Sequence, residues 1–389
     1  MAEALSLESG AHDARSRGHE TWHDASAQSD LDAVLCGRRG GFTHDHEKDR
    51  LTWIAEAVRF HIRNNPTYAR IATAQGFDAH RTLTHAGLAD IPLIPSSLFK
   101  RLSLASALEG EVQLCQSSGT RGAISEIPRD QPTLERLMHG LMLGAQEFYP
   151  HRENRVALIL SPRPDDAKTL WFAFVSSLLE LVFDAEFFVE DNRLMTTRLR
   201  QTLESLPPGR QPIIVSPPAL LLDFGLGLLA DENPLDLSAF DPQVITGGGW
   251  KRRADEKVDR DALEALLQTS LGIPSCAVRD MFNMVELNSL IYECERKRKH
   301  APPWLHVYAR SPHDGSAVSP GSLGLLSYLD PTPTSYPGFI LSDDFGRVDP
   351  DPCSCGRLGA TLTLERRLAS NDERGCALKM DRYSDGVAR

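Results

Sequence analysis

The sequence lacks long apolar runs, an excess of basic residues and the layout of a secretory signal. No stretch reaches the roughly 18 to 20 apolar residues that a membrane span needs. The first residues do not place a basic segment before an apolar one. The formal net charge of -11 argues against a nucleic-acid partner, because phosphate binding needs a concentrated basic face. We therefore expect a cytoplasmic protein that binds neither membranes nor nucleic acids.

Cysteines are also few, with 7 in 389 residues, and this argues against the disulfide framework of a small secreted domain. Reduced thiols are the expectation. Four of the cysteines crowd into the last quarter of the chain, at Cys294, Cys353, Cys355 and Cys376. Metal binding and nucleophilic chemistry are both open possibilities for this group.

The arrangement of apolar residues predicts a polar arm followed by a large α/β domain. Residues 1–44 are rich in Ser, Asp and His and predict a flexible or loosely docked arm, with the folded part starting near Asp49. Later segments alternate between helical spacing and short apolar runs, which favours buried parallel strands flanked by helices. The predicted helices cover 51–62, 68–75, 133–148 and 168–183, and the predicted strands cover 155–160, 211–216 and 242–246.

A run of hydroxyl and glycine residues, QSSGTRG, lies at Gln116–Gly122. Glycine lets the backbone approach an anion closely, and Ser and Thr can donate hydrogen bonds to phosphate oxygens. The run lacks the Gly-Lys-Ser/Thr ending of a Walker loop, which argues against a P-loop NTPase. Composition alone leaves a polyphosphate site and an ordinary surface turn as alternatives.

Five segments resemble, in order, the motifs of acyl-adenylating enzymes. They are SSGTRG at 117–122, ITGGGWK at 245–251, MFNMVE at 281–286, FILSDDFGRV at 339–348 and LERRLASNDERGC at 364–376. Each motif is weak alone, but five in the right order are hard to attribute to chance.

Within that superfamily, the sequence is most similar to the acyl-protein synthetases of the bacterial bioluminescence fatty-acid reductase system, and more distantly to phenylacetate-CoA ligases. The likeness is also carried by IPLIPSSLFK at 91–100, Tyr336-Pro337, CSCGR at 353–357 and RGC at 374–376. It implies a large adenylate-forming domain of parallel and mixed sheets with flanking helices at 45–366. A truncated C-terminal domain is expected as a short remnant at 367–389.

The resemblance implies that ATP activates a carboxylic acid as an acyl-AMP, whose acyl group passes to a thiol. It assigns a role to each matching residue. Phosphates would be bound by Ser117, Ser118, Gly119, Thr120, Arg121 and Gly122, and the adenine side by Gly247, Gly248 and Gly249. Glu286 would hold Mg²⁺, and Asn283 in the same motif would bind the cofactor. The ribose would be bound by Asp344, with Asp343 as the alternate, and by Arg367. A single carboxylate suits Mg²⁺, which takes most of its other ligands from phosphate and water.

Lys251 follows the glycine run and could reach a phosphate or carboxylate as a point charge, or could be a solvated lysine. Longer acyl-CoA ligases carry a C-terminal domain of about a hundred residues that supplies a mobile lysine. The resemblance therefore implies that another cation serves adenylation here, or that the reaction is slow or needs a partner.

Two interpretations are open for the other cysteines. Cys294, His300, Cys353 and Cys355 could hold a structural Zn²⁺, with His306 as an alternative to His300, or could be buried reduced residues. Cys376 beside Arg374 matches the C-terminal cysteine that accepts the acyl group in acyl-protein synthetases, or it is a plain buried cysteine.

Three functions stay open at this point. The leading one is transfer of the acyl group to a protein or carrier thiol. The second keeps the adenylation but uses CoA or an amine as acceptor. The third is a family member that binds a nucleotide or an aromatic acid without catalysis, since Asn283 and Val285 depart from the usual Tyr-Gly-x-Thr-Glu pattern.

Overall fold

A computed structural model describes residues 25–118, 124–150, 152–167, 169–349 and 351–367. The helices are α1 (Ala25–Leu35), α2 (Glu47–Asn64), α3 (Pro66–Ala74), α4 (Gln131–Phe148), α5 (Pro164–Ala167), α6 (Trp171–Ser177), α7 (Thr196–Glu204), α8 (Pro218–Ala230) and α9 (Arg260–Leu271). The strands are β1 (Ile94–Pro95), β2 (Val112–Gln116), β3 (Glu126–Asp130), β4 (Arg155–Ile159), β5 (Asp184–Phe187), β6 (Val189–Glu190), β7 (Arg193–Leu194), β8 (Gln211–Ser216), β9 (Gln243–Thr246), β10 (Val278–Phe282), β11 (Ile291–Glu293), β12 (Lys299–His300), β13 (His306–Arg310), β14 (Gly324–Leu329), β15 (Phe339–Asp349) and β16 (Thr361–Arg367).

One large mixed sheet forms the centre of the described fold. Its strands run in the order β13-β14-β15-β16-β12-β11-β10-β9-β8-β4-β5, and β1 pairs with β15 off this path. The half from β5 to β10 is parallel, and the half from β10 to β13 is antiparallel. The prediction of an α/β fold with parallel and mixed sheets is confirmed.

Both faces of the parallel half are buried, as expected for strands connected through helices. Along β4, Val156 and Leu158 face one hydrophobic cluster and Ala157 and Ile159 face the other. The first cluster includes the apolar faces of α7, α8 and α9, and the second includes those of α2 and α4. The loops at the carboxyl ends of these strands are therefore held by a core on each side.

A glycine permits the close packing of α4 on the antiparallel half. A Cβ placed on Gly144 would lie 2.1 Å from the Tyr292 ring, which no side chain can tolerate. The Tyr292 ring also stacks on the Phe148 ring, with centroids 5.2 Å apart. This contact joins α4, which follows the predicted phosphate hairpin, to the centre of the sheet.

The start of the fold differs from the prediction. Helix α1 lies inside the segment expected to be an arm, yet Leu31, Val34 and Leu35 are at most 1% exposed and belong to the main core. The expectation that the folded part begins near Asp49 is therefore wrong. These three residues form a short apolar stripe at spacing i, i+3, i+4. Because their neighbours are polar, the helical periodicity is weak in the sequence. The proposed division at residues 44 and 366 stays a prediction.

The other predicted elements agree well with the structure. The predicted helices at 51–62, 68–75 and 133–148 correspond to α2, α3 and α4, and the predicted strands at 155–160, 211–216 and 242–246 to β4, β8 and β9. The predicted helix at 168–183 is shorter, since α6 passes into a 3₁₀ turn at Leu178–Leu181. Over the described part of the chain, no helix combines the length and apolar character needed to cross a membrane.

Candidate functional site

The hairpin of β2 and β3 presents the loop predicted to bind phosphate. Ser117 and Ser118 are described, whereas Gly119, Thr120, Arg121 and Gly122 lie outside the described residues. The N–H of Ser117 donates to the carbonyl of Ser125 at 3.1 Å, and the N–H of Ser125 donates to Ser117 Oγ at 2.9 Å. These two bonds hold the ends of the loop together.

Glu286, the predicted magnesium ligand, is tied to this hairpin. The Ser125 hydroxyl donates to Glu286 Oε1 at 2.5 Å, and Glu286 is 6% exposed. Burial raises the pKa of Glu286, while the Ser125 hydrogen bond and the charges of Arg367 and Lys100 act in the opposite direction. The acid is thus a buried carboxyl beside the phosphate hairpin, within the influence of two cations.

Asp344 and Arg367, the predicted ribose pair, lie opposite each other on β15 and β16. Arg367 Nε is 3.7 Å from Asp344 Oδ1, and the N–H of Asp344 donates to Ser342 Oγ at 3.1 Å. The Arg367 side chain is 53% exposed, so the pair is accessible from solvent. The charge of Arg367 also acts to lower the pKa of Glu286, although the burial of that acid has the larger effect.

The glycine run lies at the carboxyl end of β9, the edge at which open α/β sheets place their sites. Gly248 and Gly249 have φ angles of 69° and 62°, a region that side chains rarely adopt. A Cβ on Gly247 would lie 3.2 Å from the Phe172 ring. The backbone of Lys251 begins a 3₁₀ turn, but its side chain lies outside the description.

Asn283, predicted to bind the cofactor, supports the turn that carries Glu286. Its side-chain N–H group donates to the carbonyls of Leu287 at 3.2 Å and Ser289 at 2.8 Å. Its side-chain oxygen accepts a short hydrogen bond from the indole N–H of Trp171. The described contacts of Asn283 are therefore structural, and any contact with a nucleotide stays a prediction.

Sequence reasoning missed three residues of this region, namely Ser125, Arg129 and Lys100. Ser125 immediately precedes β3, and Arg129 within β3 is fully buried. The partners of Arg129 include Val285 and Asn288, which follow it by 156 and 159 residues. No local spacing connects residues so far apart. The position of Ser125 and Arg129 just after the loop was the only available signal.

The four predicted zinc ligands come together at a separate place. The ligand atoms of Cys294, His300, Cys353 and Cys355 all lie within 4.8 Å of one another. The Cys294 and Cys353 sulfurs are 3.8 Å apart, and Cys355 Sγ is 3.3 Å from His300 Nε2. The alternative ligand, His306, is not part of this group.

In this cluster the histidine is neutral, and the pKa values of the Cys294 and Cys355 thiols are shifted in opposite directions. Burial lowers the pKa of His300 to about 4, and the charges of Arg357 and Arg298 add to this effect. Burial raises the pKa of Cys294 to about 12. Burial also opposes ionisation of Cys355, but hydrogen bonds and charge from Arg357 outweigh it and lower the pKa of that thiol. A cation would be needed to hold these sulfurs together as thiolates.

Comparison with known families gives a match over most of the chain. The family described as acyl-protein synthetase, LuxE, matches residues 24–384. A long-chain-fatty-acid–luciferin-component ligase of Aliivibrio fischeri is 32% identical over 366 residues, covering 92% of this chain and 94% of the relative. A ligase of the same name from Vibrio harveyi is 29% identical over 327 residues, covering 83% and 85%.

Solved structures agree on the fold. A 2-hydroxyisobutyryl-CoA ligase, in complex with 2-HIB-AMP and CoA, superposes with a TM-score of 0.65 and 14% identity. The match covers 82% of this chain and 69% of that ligase. The same ligase in its thioesterification state gives a TM-score of 0.66 and 14% identity, covering 84% and 69%.

Proposed function

Because the chain belongs to the LuxE acyl-protein synthetase family, we propose that it activates a long-chain fatty acid with ATP and passes the acyl group to a thiol. The chain is a ligase, and the proposed acid follows from the printed names of its relatives. The observation that carries the proposal is the hydrogen bond from Ser125 to Glu286, because Ser125 also closes the loop at Ser117.

The proposed reaction has two steps. In the first, a carboxylate oxygen of the acid attacks the α-phosphorus of ATP, forming a new O–P bond as the bond to pyrophosphate breaks. In the second, a thiolate attacks the acyl carbonyl and AMP leaves. The first step brings two anions together, so the site must supply positive charge and hold the reactants in line.

Each residue of the site has a place in this scheme. The loop at 117–122 binds the β- and γ-phosphates through hydroxyl and backbone donors. Asp344 accepts hydrogen bonds from the ribose hydroxyls, and Arg367 lies next to it on the side open to solvent. Lys251 follows the glycine run and contacts a phosphate or the carboxylate of the acid.

Glu286 fits the needs of a magnesium ion. It offers one buried carboxylate directly beside the phosphate hairpin, and Mg²⁺ prefers few protein carboxylates together with phosphate oxygens. When bound, the ion neutralises phosphate charge. Ser125 holds the carboxylate in place by donating to one of its oxygens.

Cys294, His300, Cys353 and Cys355 fit a structural Zn²⁺ ion. With Zn–S bonds of about 2.3 Å, two thiolates of a tetrahedral site lie about 3.8 Å apart. The Cys294 and Cys353 sulfurs are separated by 3.8 Å. The neutral His300 has Nε2 directed at Cys355, so the site has three sulfurs and one nitrogen ready for the ion. Its role is to hold β11, β12 and the segment before β16 together.

Cys376 is the proposed acyl acceptor. It lies outside the described residues but within the matched range 24–384, and Arg374 beside it would favour the thiolate. Intact mass measured after incubation with ATP, Mg²⁺ and a long-chain fatty acid should show one acyl adduct that hydroxylamine removes. Cys376→Ser should abolish the adduct, and Cys276→Ser, at an exposed cysteine, should keep it. An adduct of equal yield on Cys376→Ser would move the acceptor to another residue.

A further inference from the structure

We propose that Arg129 is a positioning residue that fixes the Glu286 carboxylate relative to the phosphate loop. The inference rests on the proposed function of Glu286 as the magnesium ligand. Arg129 lies on β3, the strand that leaves the loop, and it is 0% exposed. It therefore connects the part of the chain that binds phosphate to the part that binds the metal.

The guanidinium holds the chain on both sides of Glu286. Its Nη2 donates to the carbonyl of Val285 at 2.6 Å and, more weakly, to that of Leu287 at 3.4 Å. Its Nε donates to Asn288 Oδ1 at 3.1 Å. These contacts bracket the acid in sequence, so a shift of Arg129 would move the Glu286 backbone.

Aromatic rings fix the plane of the guanidinium. Its Cζ lies 3.8 Å from the Trp171 ring centroid and 5.4 Å from that of Tyr336, whose hydroxyl accepts from Nη2 at 3.1 Å. The Trp171 indole in turn donates to Asn283, which holds the carbonyls of Leu287 and Ser289. The turn at 285–289 is thus held by Arg129 from one side and by Asn283 from the other.

The chemistry of arginine explains why this residue type stands here. A buried cation is costly, and among the described residues no carboxylate forms a salt bridge with Arg129. A planar fork of several donors meets carbonyls and an amide oxygen at once and stacks on an indole, which lysine cannot do. The arrangement also places positive charge on β3, the strand that follows the loop proposed to bind phosphate. We infer that the fork geometry, and not simple packing, is what the site uses.

The test measures metal binding without turnover. Binding of Mn²⁺ to the protein with a non-hydrolysable ATP analogue is followed by electron paramagnetic resonance. Arg129→Lys should weaken Mn²⁺ binding by about tenfold, the lower end of the effect expected for residues that orient metal ligands. Glu286→Gln should weaken it at least as much, and the double variant should be no weaker than Glu286→Gln alone. The matched control, Arg136→Lys at another buried arginine, should leave Mn²⁺ binding unchanged.

Two results would overturn the proposal. One is unchanged Mn²⁺ binding by Arg129→Lys, whatever happens to its melting temperature. The other is a double variant whose loss of Mn²⁺ affinity equals the product of the losses in the two single variants, because that result would show that the two residues act independently. If Arg129→Lys does not fold, Tyr336→Phe serves instead, since it removes the hydroxyl that accepts from Arg129 Nη2 but keeps an aromatic ring near the guanidinium. Tyr336→Phe should weaken Mn²⁺ binding, and unchanged binding would reject the inference.

Failure of the proposed function gives a different pattern. A wild-type protein that binds Mn²⁺ with the analogue but never activates an acid would reject the enzymatic proposal and leave the role of Arg129 intact. A wild-type protein that binds no Mn²⁺ with the analogue would reject both.

Discussion

The hydroxyl of Ser125 lies 2.5 Å from Glu286 Oε1, joining two residues 161 positions apart in the chain. Ser125 also closes the base of the phosphate loop through its backbone N–H and carbonyl, both bonded to Ser117. One residue therefore contacts both the loop proposed to bind phosphate and the acid proposed to hold the metal. Ser125 therefore fixes the position of the loop relative to Glu286.

Removing the Ser125 hydroxyl should make the Glu286 side chain more mobile, while the two ends of the loop stay hydrogen-bonded to each other. Ser125→Ala keeps both backbone bonds to Ser117 and loses only the donor to Glu286. We expect acid activation to fall about tenfold and the Mg²⁺ concentration for half-maximal rate to rise, as for other residues that orient a metal ligand. Steady-state rates over a Mg²⁺ titration measure both.

Ser270→Ala is the matched control, because Ser270 is also fully buried but donates to Leu266 within α9. Its Mg²⁺ dependence should equal that of the wild type. A Ser125→Ala enzyme with unchanged Mg²⁺ dependence would contradict the role given to this hydrogen bond.

Glu286→Gln should stabilise the metal-free protein while weakening metal binding. Burial raises the pKa of Glu286, so its ionised form is disfavoured in the folded state. The wild type therefore loses stability as the pH rises. The loss begins at the pKa of glutamate in the unfolded chain, about 4, and is complete above the raised pKa of Glu286 in the folded protein. We expect the variant to melt a few degrees higher at neutral pH, with the difference shrinking toward acid pH.

Thermal unfolding of both proteins across pH, in the presence of a chelator, checks this prediction. A variant that melts below the wild type at neutral pH would show that the surroundings stabilise the carboxylate, and a difference that does not depend on pH would show that folding does not shift the pKa of Glu286.

Asp344→Asn should weaken recognition of the ribose. Replacing a charged acceptor typically costs one or more factors of ten in binding. We expect KM for ATP to rise about tenfold and the preference for ATP over 2′-deoxy-ATP to shrink. Asp343→Asn is the matched variant at the alternate acid, which directly precedes Asp344 in β15. A larger loss of ribose discrimination in Asp343→Asn would reassign the role to Asp343.

Cys355→Ser should remove a bound zinc ion and lower the melting temperature by several degrees. Cys36→Ser, at an exposed cysteine, should change neither quantity. Zinc content by mass spectrometry of metals and thermal unfolding measure the two effects. Equal zinc content in wild type and Cys355→Ser, including no zinc in either, would favour the alternative of buried reduced thiols.

Zinc uptake by the metal-free protein should release protons, and its affinity should rise with pH. The pKa of Cys294 is raised to about 12, so this thiol is protonated at neutral pH and must lose its proton to bind the ion. His300, with its pKa lowered to about 4, is already neutral and releases none. Calorimetry in buffers of different ionisation enthalpy measures the release, and an affinity independent of pH would contradict this cluster as the site.

The sequence predicted the parts of this protein that follow local rules. The apolar runs at 155–160 and 211–216 are strands because buried parallel strands carry continuous Val, Ile and Leu. Cys294, His300, Cys353 and Cys355 were predicted as a group from residue type, spacing and the family resemblance, and their ligand atoms do lie together, while zinc binding itself stays a prediction. The α1 stripe was missed because three apolar residues among polar neighbours give a weak helical signal.

The interior of the candidate site could not be predicted. Ser125 and Arg129 act on Glu286, Val285 and Asn288 across more than 150 residues, and only the folded sheet brings them together. Asn283 shows the reverse problem. Its position in a nucleotide motif predicts ligand binding, while its described partners are the chain around Glu286.

The central claim is that this protein forms an acyl-adenylate, and exchange of labelled pyrophosphate into ATP tests it most directly. With Mg²⁺ and a panel of carboxylic acids, the account predicts exchange that requires the acid, favours long-chain fatty acids, and falls sharply in Glu286→Gln. Exchange should persist in Cys376→Ser, because adenylation precedes transfer to the thiol. A folded wild-type protein that gives no acid-dependent exchange with any member of the panel would contradict the account.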